Sequence, residues 1–338
     1  MKKLLLYCLA CLVLGACGTQ QERAERLFDE GCYPYCMYYE GSYYYTMQTP
    51  DADTVFFCRA EAPGLVPKGQ RRVVYSTAMS HLSHFWSPEL HRIDDKWYLY
   101  FEADDGNTDN HQIYVMENTA DDPMSGSFVM KGIITTNEEW NFGLHPTVLQ
   151  VHDRCYLLWS GWPTRRAETE TQCIYIAEME NPWTLKSRRV MISWPQYEWE
   201  RQWVNPDGSR SAYPIYVNEN PEAFLSPDGS KVIVCYSASG IWTQYSALGM
   251  LYADANSDLL NPSSWTKRSE PSFCPAAEEG ISGTSNISIV SDGNSGASYI
   301  FYETKTMDGN TIRKDVRLQR MTWSADGMPL FGKPLPLE

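Results

Sequence analysis

Apolar and aromatic positions along this chain fall into short runs interrupted by Gly, Asn, Asp, Ser and Pro, a rhythm that predicts strands and turns rather than helices. One phrase recurs: a residue, then proline, an apolar strand, a turn of Gly or acidic residues, and an aromatic-rich strand. It reads "YPYCMYYEGSYYYTMQT" at 33–49, "SPELHRIDDKWYLYFEA" at 87–103, "HPTVLQVHDRCYLLWSG" at 145–161 and "NPEAFLSPDGSKVIVCYSAS" at 220–239. A fifth copy, "SNISIVSDGNSGASYIFYET" at 285–304, lacks the proline. Units spaced roughly 55 to 75 residues apart, each with room for two further strands, predict an all-β, five-bladed β-propeller. A β-sandwich would account for short strands but not for five copies of one two-strand phrase.

In a propeller the first strand of each blade lines the central axis, so the residues that open each phrase should crowd around one mouth of the channel. They are Tyr33, Ser87 with Glu89, His145, Glu219 with Asn220, and Ser285 with Asn286. Trp86, Trp159, Trp162, Trp242, Tyr35 and Tyr245 sit at strand mouths or in blade loops, where flat rings can stack on the apolar faces of sugars. Each ring taken singly fits a core position as well; as a set around one mouth they point to carbohydrate.

The amino terminus changes the picture of location. "MKKLLLYCLACLVLGA" has a Lys2/Lys3 start and an apolar run too short to span a bilayer comfortably, so residues 1–16 read as an export signal. Leu14-Gly15-Ala16-Cys17 resembles the lipobox of bacterial lipoproteins, which implies acylation at Cys17. A polar tether over 17–28 and a folded domain over 29–338 follow. The expected location is extracytoplasmic, at the outer membrane or surface of a bacterium, with the lipid as the only membrane contact. Net charge is −14, and loss of Lys2 and Lys3 leaves 26 basic against 42 acidic residues, which argues against a nucleic-acid partner. A monomer is expected. The seven cysteines beyond Cys17 form no close CxxC pairs and read as small buried residues rather than a disulfide framework or zinc site.

Longer motifs carry a resemblance. "FWSPELHRIDDKWYLYFEADDGNTDNHQIYVMEN" (85–118), "TVLQVHDRCYLLWSGW" (147–162), "NPWTL" (181–185), "ISWPQYEWE" (192–200), "VNENPEAF" (217–224), "VCYSASGIWTQYSALGML" (234–251) and "LNPSSWTK" (260–267) occur in order. Together they resemble glycoside hydrolase family 43, the five-bladed propeller enzymes that attack arabinose- and xylose-containing plant glycans, and more closely its α-L-arabinofuranosidase-like members. The resemblance implies hydrolysis of arabinofuranosyl or related bonds, an oligo- or polysaccharide ligand and no cofactor. It also implies an inverting mechanism, with a base, a general acid and a tuning aspartate, whose carboxyl groups face one another across the bond with space for water.

On that alignment Glu219 in "VNENPE" is the general acid, flanked by Asn218 and Asn220. The other two acids are replaced. Tyr33 stands where the family has its aspartate base, and a phenol of pKa ~10 is a poor base at neutral pH. His145 stands where the family has its tuning aspartate, and Ser285 replaces a histidine that helps organise a central ion or water site, so no metal is expected. Carboxylates that could substitute for the base include Glu89, Glu222, Asp104, Asp105, Glu303, Asp29 and Glu30. The alternative is a catalytically silent propeller that binds glycan.

Overall fold

The computed structural model describes residues 23–165, 170–204, 210–293, 295–308 and 311–337. The signal segment and Cys17 lie outside them. Among the described residues the regular elements are strands and short 3-10 turns, and no helix is long and apolar enough to cross a membrane.

The strands form antiparallel meanders. The first comprises Cys32–Tyr39, Ser42–Gln48, Thr54–Ala60 and Gln70–Ser76; the second Ser83–Ile93, Lys96–Asp104, Gln112–Asn118 and Val129–Ile134. The third runs through Leu144–Val151, Arg154–Gly161, Glu170–Asn181 and Val190–Ser193, and the fourth through Arg210–Leu225, Lys231–Ala238, Ala247–Asp254 and Thr266–Lys267. The last is Gly283–Ser291, Ser298–Asp308 and Thr311–Trp323, with Glu25–Phe28 added at its edge. A parallel stretch, Glu170–Gln172 beside Ile215–Val217, joins the third and fourth meanders, so among the described residues hydrogen bonding groups the strands into four sheets rather than five separate ones.

Glu25–Phe28, expected to belong to the polar tether, is a strand, and Ala24 bridges to Leu337. The start of the folded chain thus pairs with its end.

The aromatic runs are explained by two-sided burial. Successive strand residues point to opposite faces, so Tyr43 and Tyr45 enter a core shared with Phe301 and Leu318 of the last meander, while Tyr44 enters one shared with Trp97 and Leu99 of the second. The same holds around the molecule. Tyr100 and Val115 meet Leu157 and Trp159; Leu158 and Ile174 meet Val232 and Val234; Ile233 and Leu248 meet Ile300 and Tyr302. Each buried aromatic or aliphatic side chain contributes roughly 1.5–3 kcal/mol, and no meander buries its two faces alone. The first strands also touch in a cycle, Cys32–Tyr39 against Ser83–Ile93, that against Leu144–Val151, then Arg210–Leu225, then Gly283–Ser291, and back to Cys32–Tyr39.

Candidate functional site

Every first strand breaks its ladder at the same place. The register shifts between Cys32 and Tyr35, Trp86 and Glu89, Leu144 and Thr147, Glu219 and Glu222, and Ser285 and Ile287. Inside each bulge one residue adopts the left-handed conformation: Tyr33 (φ 53°), Ser87 (40°), His145 (54°), Asn220 (53°) and Asn286 (48°). Proline follows four of them, and its missing N–H is tolerated because a bulge leaves a residue unpaired. The phrase read from the sequence is therefore a repeated bulge. Positive φ is unfavourable for side chains of this size, and such backbone strain gathers at functional sites.

Neighbouring bulges are tied together. The residue opposite the one preceding a bulge reaches forward to the next meander: Glu102 Oε2 accepts the His145 N–H (3.0 Å), Ser160 Oγ that of Asn220 (2.8 Å), and Ser237 Oγ that of Asn286 (2.9 Å). Glu102, which faces Trp86 across the ladder, enters the site this way. Sequence reading passed over it, although a carboxyl group inside the apolar run "WYLYFEA" is the buried-polar signal that should have drawn notice.

Tyr33, His145 and Glu219 are all buried, at 9%, 2% and 2% exposure. The Tyr33 and His145 rings lie 4.8 Å apart between centroids at 35°. Burial, followed by the nearby Glu219, Cys32, Glu102 and Glu303, pushes the Tyr33 phenol well above its ordinary value, so it is no base. His145 Nδ1 is 3.3 Å from Ser160 Oγ, and its Nε2 is 3.6 Å from Glu102 Oε1. That spacing suggests an ion pair, but burial drives His145 down to about 3, with help from His111 and Lys314, and lifts Glu102 well above the carboxylate range. Burial thus disfavours charge on both groups. Glu219 Oε1 accepts the Ile241 N–H at 2.9 Å.

Glu303 is the contrasting carboxylate. Burial opposes its ionisation, yet Lys314 and Lys305, at 3.5 and 3.3 Å, hold it below the ordinary range. Asn286 Nδ2 donates to it at 2.8 Å and the Ser285 hydroxyl at 3.3 Å. Lys305 also donates to Ser285 and Ser246, and Lys314 to the Cys32 sulfur at 3.5 Å. With two lysines and the Ser285 hydroxyl at Oε1 and the Asn286 amide at Oε2, Glu303 is held as a tied-down carboxylate. Asp29 and Glu30 line a cavity of about 870 Å³ with Cys32 and Lys314, beside the axial residues at the seam of the first and last meanders. Asp104 is buried between His84 and His111, and Asp105 bonds the Asn110 amide; neither reaches the axial rings in any contact seen.

The remaining predicted residues divide. Asn218, Asn220, Ser285 and Asn286 join the axial layer, with the Asn218 amide donating to Ser193 at 2.7 Å. Trp242 and Tyr245 share the loop whose Ile241 N–H binds Glu219. Trp86 stacks on His111 with centroids 4.1 Å apart. Trp162 is buried against Phe142, 3.7 Å between ring centroids. Trp159 is a core residue, fully buried beside Tyr175 and not on the pocket wall. Glu89 and Glu222 occupy a second axial layer two residues past the bulges. There Glu89 meets His91 Nε2 at 2.7 Å, Tyr35 OH is 3.3 Å from His91 Nδ1, and Ser288 donates to Glu222 at 3.2 Å. The cysteines described beyond the signal are free thiols, and no group of three or more His, Cys, Asp or Glu among the described residues is placed to hold a metal ion.

The chain is similar to known proteins over nearly its whole length. It is 32% identical to alpha-L-arabinofuranosidase B of Pyricularia oryzae and 33% identical to an extracellular exo-alpha-(1->5)-L-arabinofuranosidase of Streptomyces avermitilis, each over 88% of this chain and 60% of the relative. The chain thus spans about 60% of the length of these relatives. A crystal structure of an alpha-L-arabinofuranosidase from Lactobacillus brevis superposes with a TM-score of 0.78 at 28% identity, covering 94% of this chain and 96% of that one. A thermostable family-43 glycoside hydrolase superposes at 0.67 with 17% identity over 91% and 96% of the two chains, a likeness of fold. The model of the glycosyl hydrolases family 43 matches residues 34–329, and the chain belongs to that family, whose solved neighbours are β-propellers.

Proposed function

We propose that this chain recognises arabinofuranosyl-bearing plant glycans with a family 43 propeller whose axial centre no longer hydrolyses them by the family's route. The observation that carries this reading is the contact between Tyr33 and His145. At the two positions where the resemblance calls for a base and a tuning aspartate, two buried rings pack together, and neither can take a proton from water at neutral pH. Glycan recognition is supported by the arabinofuranosidase relatives and by the aromatic residues around the axial mouth.

In this reading the meanders are five blades. The cycle of first-strand contacts and the shared cores support a ring that Glu25–Phe28 closes by pairing with the last meander. The domain stands outside the cytoplasm as a monomer on a lipid attached to Cys17. The extracellular name of the Streptomyces relative fits that location.

A second reading, hydrolysis with Glu219 as general acid, is favoured by one observation. Glu219 keeps its place at a bulge, oriented by the Ile241 N–H, and Glu102 offers a second neutral carboxyl group in the same layer. The test is release of nitrophenol from aryl α-L-arabinofuranosides and β-D-xylosides, and of sugar from arabinan, by the protein and by Glu219→Gln. No turnover by either protein, together with retained oligosaccharide binding, is expected. Turnover that vanishes in Glu219→Gln would replace the binding reading with hydrolysis.

A further inference from the structure

The lipid proposed on Cys17 ties the domain to a membrane, and the point where the chain enters the fold decides which side of the molecule meets it. Arg23 and Ala24 are fixed at once: Arg23 Nη1 donates to the Leu337 carbonyl at 2.6 Å and the Ala24 N–H to that of Pro336 at 2.9 Å. Glu25–Phe28 then pairs with Thr311–Trp323 along the edge of the last meander. The free length of chain therefore ends at Arg23.

That point lies on the side away from the bulges. Glu25 rests against Gly64, where an added Cβ would come within 2.6 Å of its carboxylate. Gly64 belongs to the 3-10 turn Pro63–Lys68, reached from Ala60, and Ala60 pairs with Tyr43 beside the Glu40-Gly41 turn that ends the first strand. At the other end of the entry strand, Phe28 leads through 29–31 to Cys32 and Tyr33 at the mouth. The chain thus enters on the far side and travels toward the mouth.

Reach and charge turn this path into an orientation. Six residues carry the chain from Cys17 to Arg23, at most about 22 Å at ~3.6 Å per residue. The strand from Tyr33 to Tyr39 alone rises about 20 Å, so a tether that starts on the far side is used up before it passes the mouth. The far turns carry exposed acids, Glu40, Asp95, Asp153 and Asp228, and the chain beyond the signal has 26 basic against 42 acidic residues. An anionic lipid surface repels such a domain over a Debye length of about 8 Å, which keeps the tether stretched and stops the domain from lying over on its mouth. We infer that the far turns face the bilayer and that the bulge layer of Tyr33 and His145 faces away from it, toward polymer arriving from solution. The inference rests on the lipid reading of Cys17 and deepens it by naming the face turned to lipid.

The test is energy transfer from a dye on the full, lipid-bearing chain to acceptor-labelled headgroups in vesicles of phosphatidylethanolamine and phosphatidylglycerol. In a Cys274→Ser background, which removes the exposed thiol, the dye is attached through Asp153→Cys on the far side or through Asp109→Cys in the mouth-side turn that follows Asp104. Both positions are exposed, so both proteins should melt near the wild-type temperature. Transfer from position 153 is expected to exceed that from position 109 by about threefold or more, given a separation of at least one strand length. Inserting about twenty Gly and Ser residues after residue 20 adds about 25 Å of mean reach and should bring the two values together. Equal transfer from both positions, or more from 109, with palmitate incorporated at Cys17, would overturn the orientation and leave the anchor standing. A ratio that survives the insertion would overturn tether length as its cause. Absence of labelled palmitate in the wild type, matching Cys17→Ser, would overturn the anchor and the orientation together.

Discussion

The two axial layers lie on the same first strands, two residues apart, and differ in kind. The nearer layer, at the bulges, is filled by the Tyr33 and His145 rings, with Glu102 pushed by burial toward its neutral form and Glu303 held by two lysines. The farther layer keeps an opening of about 300 Å³ lined by Tyr35, His91, Thr147 and Glu222. There, burial raises Glu89 and Glu222, Glu222 further through its neighbour Glu89, and depresses His91 to about 3, so burial disfavours charge on all three. The difference shows that one scaffold supplies two rings of side chains whose chemistry is set separately. Backbone bulges aim the near ring, whereas the far ring stands on ladder that has resumed its register.

The largest effect expected comes from returning carboxylates to the near layer. Tyr33→Asp combined with His145→Asp should open the ring contact and restore a base and a tuning acid opposite Glu219. Turnover of an aryl α-L-arabinofuranoside is expected to rise by about 10²-fold or more above wild type. No rise would overturn the assignment of Tyr33 and His145 to the base and tuning-acid positions.

Breaking the locked cluster comes next. Glu303→Gln leaves Lys305 fully buried without its counter-charge and should cost about 3 kcal/mol in urea unfolding at pH 7. Because the folded pKa of Glu303 is depressed, wild type holds this contribution at neutral pH and loses it as pH falls below the ordinary carboxylate range, so the gap between the two proteins should narrow in acid. A gap that stays constant down to low pH would refute the ionised state assigned to Glu303.

Glu102 has the opposite sign. Its folded pKa is raised, so above pH ~4.3 the unfolded chain releases a proton that the folded chain keeps, and wild-type stability falls as pH rises. Glu102→Gln removes that penalty and can still accept the His145 N–H. Its stability relative to wild type should climb between pH 4 and 8; a flat difference would mean that Glu102 is ionised in the fold. The smallest effect is expected at the bulge itself, where Pro146→Ala should cost about 0.4–1 kcal/mol through the unfolded chain, read as a small drop in melting temperature.

Much of this molecule was legible in its sequence because the signals are local. Strand-turn-strand phrases follow from alternation and turn residues, and a proline one residue into the phrase marks four of its five copies. Glu219, singled out by its motif, is buried at the bulge of the fourth meander. Trp159 was misplaced because a tryptophan at a strand mouth and one in a core look alike until the neighbouring sheet is known; Tyr175 and the second meander decide it. Glu25–Phe28 read as polar tether because its partner, Thr311–Trp323, is nearly the whole chain away.

The sequence by itself determined the strand content, the repeat, the family and the presence of Tyr33 and His145 at the openings of two phrases, all of which depend on residue types at fixed short spacings. Only the tertiary structure decided what surrounds them. Glu102 and Glu303 come from second strands, and Lys305 and Lys314 from two different strands of the last meander; their charge states arise from burial and from partners brought together across distant segments. Protonation in a low-dielectric interior depends on distances of a few ångströms between such groups, and spacing along the chain does not encode them.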